Sequence, residues 1–501
     1  MQSVHRRAVR RGSVLFAALV CSVCFVSDAA AQLEQKLDAL EDALEEIYDG
    51  EPVTLEEAIH TAEVGSVTLG RFEEDVLTAI TNRRAAILQW LPDLSASFNY
   101  QESERTELDQ AITEQQLFPV TFLDINGDPI VITENGNPVF TQIQVPTGAT
   151  ADQVIDQTFE SQSLSSNWTV FNGFDRVNEY RQSSADLEAR KATLVYQTDV
   201  LRENVTNAFY DYIRADRRVE VALDAQDLAQ QELERSETYF ELGISTRSEV
   251  LQAKVRLQQT KLDVVRERNA RRNAFLVLAH AMNIPGARPF EVVDDLPDVE
   301  EMQVPDVDPL LEAARQQRLD LVATEYALDA SRASVWRARS SYWPSIQVFV
   351  QYSQSKSETP FRFGAQENEN FAYGIQGQWN IFDRWRTQQQ TRNAVANQRR
   401  AEYDLRQRQL EVELEVVNLW NNLNEAIESY SVSQVTVEQS QEDLRLAEER
   451  FRVGAGTALD VITAQVNLAQ ARRDLVDAQI NAIKFDRQLQ RATGATTSMP
   501  E

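Results

Sequence analysis

Tyr239-Phe-Glu-Leu-Gly243-Ile-Ser-Thr246-Arg-Ser-Glu249-Val-Leu-Gln-Ala253 and Arg450-Phe-Arg-Val-Gly454-Ala-Gly456-Thr457-Ala-Leu-Asp460-Val-Ile-Thr463-Ala464 are two versions of one pattern. They lie 211 residues apart. The same offset pairs Trp168 with Trp379 and Phe171 with Phe382, so the register already holds far upstream of the quoted stretch. Further upstream, Leu91-Pro92 matches Trp343-Pro344 at an offset of 252, which gives the first copy 41 extra residues between its proline and its tryptophan. A duplication of this length means that one structural unit is used twice in the chain.

Within the pattern, Gly243 and Gly454 read as helix C-terminal glycines. Thr246 and Thr457 read as caps of returning helices, with Glu249 and Asp460 three residues on to complete a capping box. Upstream, Leu201, Val205, Ala208, Tyr212, Ala215, Val219, Ala222, Gln226, Ala229, Leu233, Ser236 and Phe240 follow a 4-3 spacing. In the second copy the same seam runs from Val412 through Leu423 and Leu444 to Phe451. Such a seam predicts coiled-coil helices, from about residue 174 to 242 and about 385 to 453, each roughly 100 Å long. The returns are expected to reach about Asn283 and Ala492.

Before each long helix the period changes. Pro92 and Pro344 lead into strands: Leu94, Ala96, Phe98 and Tyr100 alternate with polar residues, as do Ile346, Val348, Val350 and Tyr352. A second strand in each copy carries Leu164, Trp168 and Val170, then Phe371, Tyr373, Ile375, Trp379 and Ile381. The expected strands are about 94–103, 159–171, 345–355 and 371–382, with an exposed loop at about 104–158 rich in Asn-Gly and Asp-Pro turn pairs. Thr54 is expected to cap one helix running to Trp90. Asp308 is expected to cap its counterpart, with Pro309 at the first helical position and an end near Trp343. Each repeat thus reads as helix, strand, strand, very long helix, glycine turn, helix. The repeats span 53–283 and 308–494, joined by a proline-rich acidic linker at 284–307 and followed by a tail at 495–501.

The N-terminus reads as a secretory signal over 1–31: Arg6, Arg7, Arg10 and Arg11, an apolar stretch from Val14 to Val26, and Ala29-Ala30-Ala31 before Gln32. Both cysteines, Cys21 and Cys24, lie inside it. Its removal changes 49 basic and 78 acidic residues to 45 and 77, a formal charge of −32. Such acidity repels nucleic acid and anionic lipid surfaces and excludes both as partners of the chain as a whole. Residues 32–52 form an acidic extension whose Leu33, Leu37, Leu40, Leu44 and Ile47 make a short heptad. Only His60 and His280 follow the signal, and no phosphate loop, metal-ligand cluster or nucleophile motif is present, so the chain reads as neither an enzyme nor a cofactor protein.

Four strands cannot close a barrel, since the smallest membrane barrels have about eight. Open strand edges in a bilayer leave backbone groups unsatisfied. If these strands enter a membrane, several chains must share one barrel.

In its Pro-terminated helices, its strand-to-helix exits at Trp168–Phe174 and Trp379–Asp383, and its twin turns, the chain resembles the outer membrane efflux protein family, the TolC-like exit ducts. The resemblance covers about residues 53–494. It implies an α+β membrane protein: a homotrimer with a 12-stranded β-barrel in the outer membrane, continued by a periplasmic α-helical barrel. It implies a passive channel of a tripartite efflux or type I secretion system. A periplasmic adaptor (membrane fusion) protein and an inner-membrane transporter would dock at the periplasmic tip. The family's tip aspartate corresponds to Asp460. A second acidic tip position is Thr463 here, a departure from the pattern, and Glu249 is the equivalent of Asp460 in copy one. The resemblance places Gly243, Thr246, Gly454, Gly456 and Thr457 at turns where adaptors dock, and sets Phe98, Tyr100, Trp168, Tyr352, Tyr373 and Trp379 toward outer membrane lipid. The alternative is a soluble periplasmic coiled-coil adaptor or scaffold, which accounts for the heptads but not for the four amphipathic strands.

Overall fold

The computed structural model describes residues 52–123, 128–284, 290–294, 296–358 and 366–494. The expected signal, nearly all of the acidic extension and the tail lie outside them. The chain divides into two units. One comprises residues 1–85, 178–335 and 391–501 and is helical where described; the other comprises 86–177 and 336–390 and holds the main sheet.

The helices are α1 (Leu55–Gly65), α2 (Val67–Leu88), α3 (Asp175–Glu241), α4 (Arg247–Ala281), α5 (Val307–Gln317), α6 (Leu319–Ser340), α7 (Arg386–Arg452) and α8 (Ala458–Ala492). The offsets read from the sequence hold to the residue. α1 and α2 become α5 and α6 on adding 252, and α3 and α4 become α7 and α8 on adding 211. α3 and α7 have 67 residues each. The seam is where the long helices are buried: Val205, Ala208, Val219, Ala222, Ala229 and Ser236 on α3, and Val412, Val416, Leu423 and Phe451 on α7. Small residues there let neighbouring helices approach closely.

The helix expected from Thr54 to Trp90 is two helices. Thr54 does cap the first, accepting from Glu57 N, with the Glu57 carboxylate returning to Thr54 N at 2.8 Å. The chain then breaks at Ser66, which turns extended and caps α2 by accepting from Leu69 N at 3.2 Å. In the second copy the break falls on Arg318, also extended. Asp308 is not the N-cap. Asp306 holds that position, Asp308 lies in the first turn, and Pro309 follows it. Thr54 plus 252 is Asp306, so the register of the duplication marks the cap that local propensity misplaced.

α3 and α8 run antiparallel along a polar ladder. Arg491 pairs with Glu203 at 2.6 Å, Lys484 with Asp211 at 2.8 Å, and Arg472 with Asp224 at 2.9 Å. Arg218 forks onto Asp477, with Nε at 3.0 Å from Oδ1. Copy one's long helix is thus clamped to copy two's return helix. The largest apolar core joins Val205, Phe209 and Ile213 of α3 with Leu278 and Met282 at the end of α4 and Ile480 and Ile483 of α8. A parallel bridge, Val53 with Val292, ties the start of copy one to the linker.

The sheet unit carries β1 (Asp93–Pro119), β2 (Thr121–Leu123), β3 (Pro129–Val131), β4 (Thr133–Glu134), β5 (Asn137–Pro138), β6 (Phe140–Asn172), β7 (Ser345–Glu358) and β8 (Gln366–Gln378). The main sheet has the order β1-β6-β7-β8, antiparallel throughout. The first hairpin is much longer than the expected strands 94–103 and 159–171. Its ladder runs from Asp93↔Asn167 to Pro119↔Phe140, through two register shifts, so most of the expected loop 104–158 is paired strand. Apolar alternation stops after Tyr100, whereas a backbone ladder needs no alternating side chains, so the sequence signal ended before the structure did. The Asn135-Gly136 turn joins β4 to β5, with φ of 53° and 84°. β8 spans 366–378 rather than 371–382. Its last pair is Ser345↔Gln378, and Pro344, next on the partner, has no N–H to extend the ladder.

Candidate functional site

At the two helix–turn–helix tips the backbone closes in the same way. Gly243 N donates to Phe240 O at 3.0 Å and Ile244 N to Tyr239 O at 2.8 Å; Gly454 N donates to Phe451 O at 3.0 Å and Ala455 N to Arg450 O at 2.8 Å. This Schellman closure needs a left-handed residue, and Gly243 and Gly454 supply it at φ of 72° and 75°. Gly456 is not left-handed. A Cβ there would meet Arg450 Cβ at 3.1 Å, and its counterpart in copy one is Ser245.

Thr246 and Thr457 then start α4 and α8 with full capping boxes. Thr246 N donates to Glu249 Oε2 at 3.0 Å, and Ser245 Oγ reaches the same oxygen. Thr457 N and Oγ1 both donate to Asp460 Oδ2 at 2.8 Å. Those two bonds hold the exposed Asp460 carboxyl below the usual carboxylate range. Thr463 is exposed, and its hydroxyl donates to Leu459 O at 2.8 Å. The acids singled out by sequence therefore sit at the two tips, each fixed by its own cap. Around them Leu242, Ile244 and Val453 are exposed, while Tyr239 and Phe451 bring the tips of α3 and α7 together with ring centroids 5.6 Å apart.

A buried carboxylate lies between two and three turns behind the tip. Glu232 on α3 is 1 % exposed, accepts from Ser236 Oγ at 3.2 Å and sits 3.4 Å from Arg235. Burial pushes its carboxyl up, with Arg235 and Ser236 pulling the other way. Glu232 is the neighbour of Leu233 on the 4-3 seam, and nothing in that spacing shows that its carboxyl is enclosed.

In the sheet the register brings the apolar positions onto one face. Ala96 pairs with Leu164, Leu164 with Tyr352, and Tyr352 with Phe371; Val350 pairs with Tyr373 and Val348 with Ile375. Phe98, Tyr100, Tyr352 and Tyr373 lie on that face and are exposed. The opposite face carries hydroxyls, with Ser95 and Ser97 bonded to Ser165 and Ser163 at 2.7 Å. Trp168 and Trp379 have a further role that sequence did not reveal. Trp168 Nε1 donates to Trp90 O at 3.0 Å, and Trp379 Nε1 to Tyr342 O at 3.2 Å, from a position just past β8. Each indole anchors the peptide two residues before Pro92 or Pro344, and both offsets again relate the pair. His60 and His280 lie on separate helices and are exposed.

Comparison with known proteins agrees with this architecture. The family model described as outer membrane efflux protein matches residues 137–283 and 310–495. The outer membrane protein TolC of Vibrio cholerae serotype O1 is 23% identical over 370 residues, covering 72% of this chain and 84% of that protein. The alkaline protease secretion protein AprF of Pseudomonas aeruginosa is 22% identical over 331 residues, covering 65% and 68%. A crystal structure of CusC superposes with a TM-score of 0.69 at 18% identity, covering 89% of this chain and 93% of that one. The matched segments take in the second strand, both long helices and both tips, and the fold is that of the channel proteins. The chain belongs to the outer membrane efflux protein family, whose place is the outer membrane with extension into the periplasm.

Proposed function

We propose that this chain is one subunit of a homotrimeric exit duct that carries substrates from an inner-membrane transporter, through a periplasmic adaptor, across the outer membrane. The observation that carries this reading is the main sheet: four strands, one exposed apolar face, and one free edge each on β1 and β8. A bilayer does not tolerate such edges. Joining β1 of one copy to β8 of the next satisfies both, and three copies give twelve strands. The serine- and glutamine-rich face then lines the lumen, and Phe98, Tyr100, Trp168, Tyr352, Tyr373 and Trp379 meet lipid. A soluble scaffold would leave that apolar face in water.

The duct is passive, and its gate is the periplasmic tip. There Asp460 and Glu249, each present three times, form acidic rings that attract cations, with the hydroxyl of Thr463 beside them. The turns at Gly243, Thr246, Gly454, Gly456 and Thr457, with exposed Leu242, Ile244 and Val453, are the adaptor's docking surface. The relatives' names include protease secretion and efflux alike, and both uses fit a conduit that meets its cargo only in passing. Asp460→Asn tests the gate. Cation block of the closed pore, measured as current against added divalent cation, should weaken; unchanged block would remove Asp460 from the pore.

A further inference from the structure

All four strand–helix junctions lie at one end of the sheet, where Asn172 pairs with Ser345 and Ser345 with Gln378. This end is cationic. It holds Arg176, Arg337, Arg339, Arg384 and Arg386 against Asp93, Asp175 and Asp383. Towards the other end the described side chains of the same sheet reverse the balance, with Glu102, Glu160, Glu367 and Glu369 against Lys356. The chain as a whole carries a formal charge of −29, so a cationic rim is a local exception.

The rim is also aromatic. The Arg339 guanidinium lies 4.9 Å from the Trp336 ring centroid, and that of Arg176 6.0 Å from Trp90. Trp90, Trp336, Trp343 and Trp385 are all exposed. The backbone is bent to make this display. Gly173 and Phe174 have φ of 67° and 68°, and their counterparts 211 residues on, Arg384 and Trp385, have 56° and 65°. Left-handed backbone strains any residue that carries a side chain. Gly173 has a packing reason, since a Cβ there would come within 2.3 Å of Ser340 O. Arg384 and Trp385 point their side chains to the outside, so internal packing gives no return for their strain.

Contacts within the chain explain only part of the charge. Arg337 reaches Asp175 at 3.4 Å, and the end of α6 favours Arg337 and Arg339 through its dipole. Arg384 and Arg386 stand at the start of α7, where the dipole opposes a cation. The nearby Asp383 carboxylate is engaged by Thr387, whose N–H donates to it at 2.7 Å.

We propose that this arginine–tryptophan rim is a docking surface for anionic phospholipid, with Arg339, Arg384 and Arg386 taking the headgroup phosphates and Trp336 and Trp385 lying at the lipid interface. The rim continues directly from the exposed apolar face, whose first residues are Leu94 and Ile346. Aromatic rings prefer that boundary, and basic clusters beside it attract anionic headgroups. The inference rests on the reading of the sheet as part of a membrane barrel, and it adds the lipid class and the residues that hold it.

The test uses the full chain reconstituted in phosphatidylcholine vesicles and in phosphatidylcholine–phosphatidylglycerol vesicles. Tryptophan emission is read with brominated acyl chains on one lipid or the other. Brominated phosphatidylglycerol should quench more than brominated phosphatidylcholine at equal content, and salt should reduce the difference. In the R339Q/R384Q/R386Q variant, preference for phosphatidylglycerol should fall about fivefold per arginine removed. An Arg445→Gln control, on the exposed part of α7, should leave it intact. Equal quenching by the two lipids in the inserted unsubstituted protein overturns the proposal without needing any variant, as does a preference that the triple variant retains. Failure to insert into either vesicle overturns the membrane reading instead.

Discussion

Arg318 is the residue whose loss should damage the helical unit most. It stands at the break between α5 and α6 and is 4% exposed. Its Nε and Nη2 fork onto Asp320 at 3.0 and 2.8 Å, and Nη1 reaches Glu415 at 2.7 Å. Burial works against the charge, and the carboxylates more than offset it, so the guanidinium is held above its ordinary value. Arg318→Met keeps most of the volume and removes the charge. Asp320, also 4% exposed, then loses its bidentate partner. It keeps Leu321 N at 2.9 Å and Arg408 at 3.5 Å, while Glu415 keeps Arg491 at 2.9 Å. Breaking a buried pair costs about 3–5 kcal/mol, and these remaining partners place the cost near the lower end, about 3 kcal/mol. The assay is the unfolding rate of the purified protein in detergent. If the network is absent from the transition state, that rate should rise about a hundredfold. The double variant Arg318→Met/Asp320→Leu should return close to the unsubstituted rate, because no buried charge is stranded. Its copy-one counterpart offers a contrast: Ser66→Ala removes a single cap and should cost about 1 kcal/mol. A small effect of Arg318→Met, or a double variant as fast as the single, would refute the assignment.

Two further substitutions follow from the tips. Gly454→Ala and Gly243→Ala force a side chain into left-handed backbone and should each cost about 1–2 kcal/mol, seen as faster amide exchange confined to the turns; Gly456→Ala should be milder, since Ser245 already occupies the equivalent place. Glu232→Gln should stabilise the protein near neutral pH. Because burial raises its folded value, Glu232 favours the folded state below its unfolded value and opposes it as pH rises through the folded one. The gain should therefore shrink on acidification, and thermal unfolding across that range checks it; a gain that grows with acid would reverse the sign.

Sequence was most informative wherever a rule of geometry repeats. The 4-3 seam had to be buried because one stripe of a long helix faces its neighbour. The tip glycines had to turn because φ near 70° admits little else, and Thr246 and Thr457 had to start helices because their capping acids stand three residues on. Legibility failed where structure depends on contacts between distant segments. Asp320 stands two residues from Arg318, but nothing local shows that Glu415, 97 residues away, completes the enclosure, and the residue pattern across the break reads as one unbroken helix. The outer part of the first hairpin is bonded through its backbone, which polar side chains do not advertise. At the candidate site, residue types pointed to the tips and to the apolar sheet face, but not to the indole anchors of Trp168 and Trp379 or to the left-handed turn at Arg384 and Trp385. Those needed the register that pairs strands with the prolines before them.

Strands from several copies close one pore in the proposed duct. Conductance of the purified protein in a planar lipid bilayer tests it most directly. Discrete channels are expected, small at rest, with block by added divalent cation that weakens in Asp460→Asn. Well-folded protein that enters the bilayer and carries no current would contradict it.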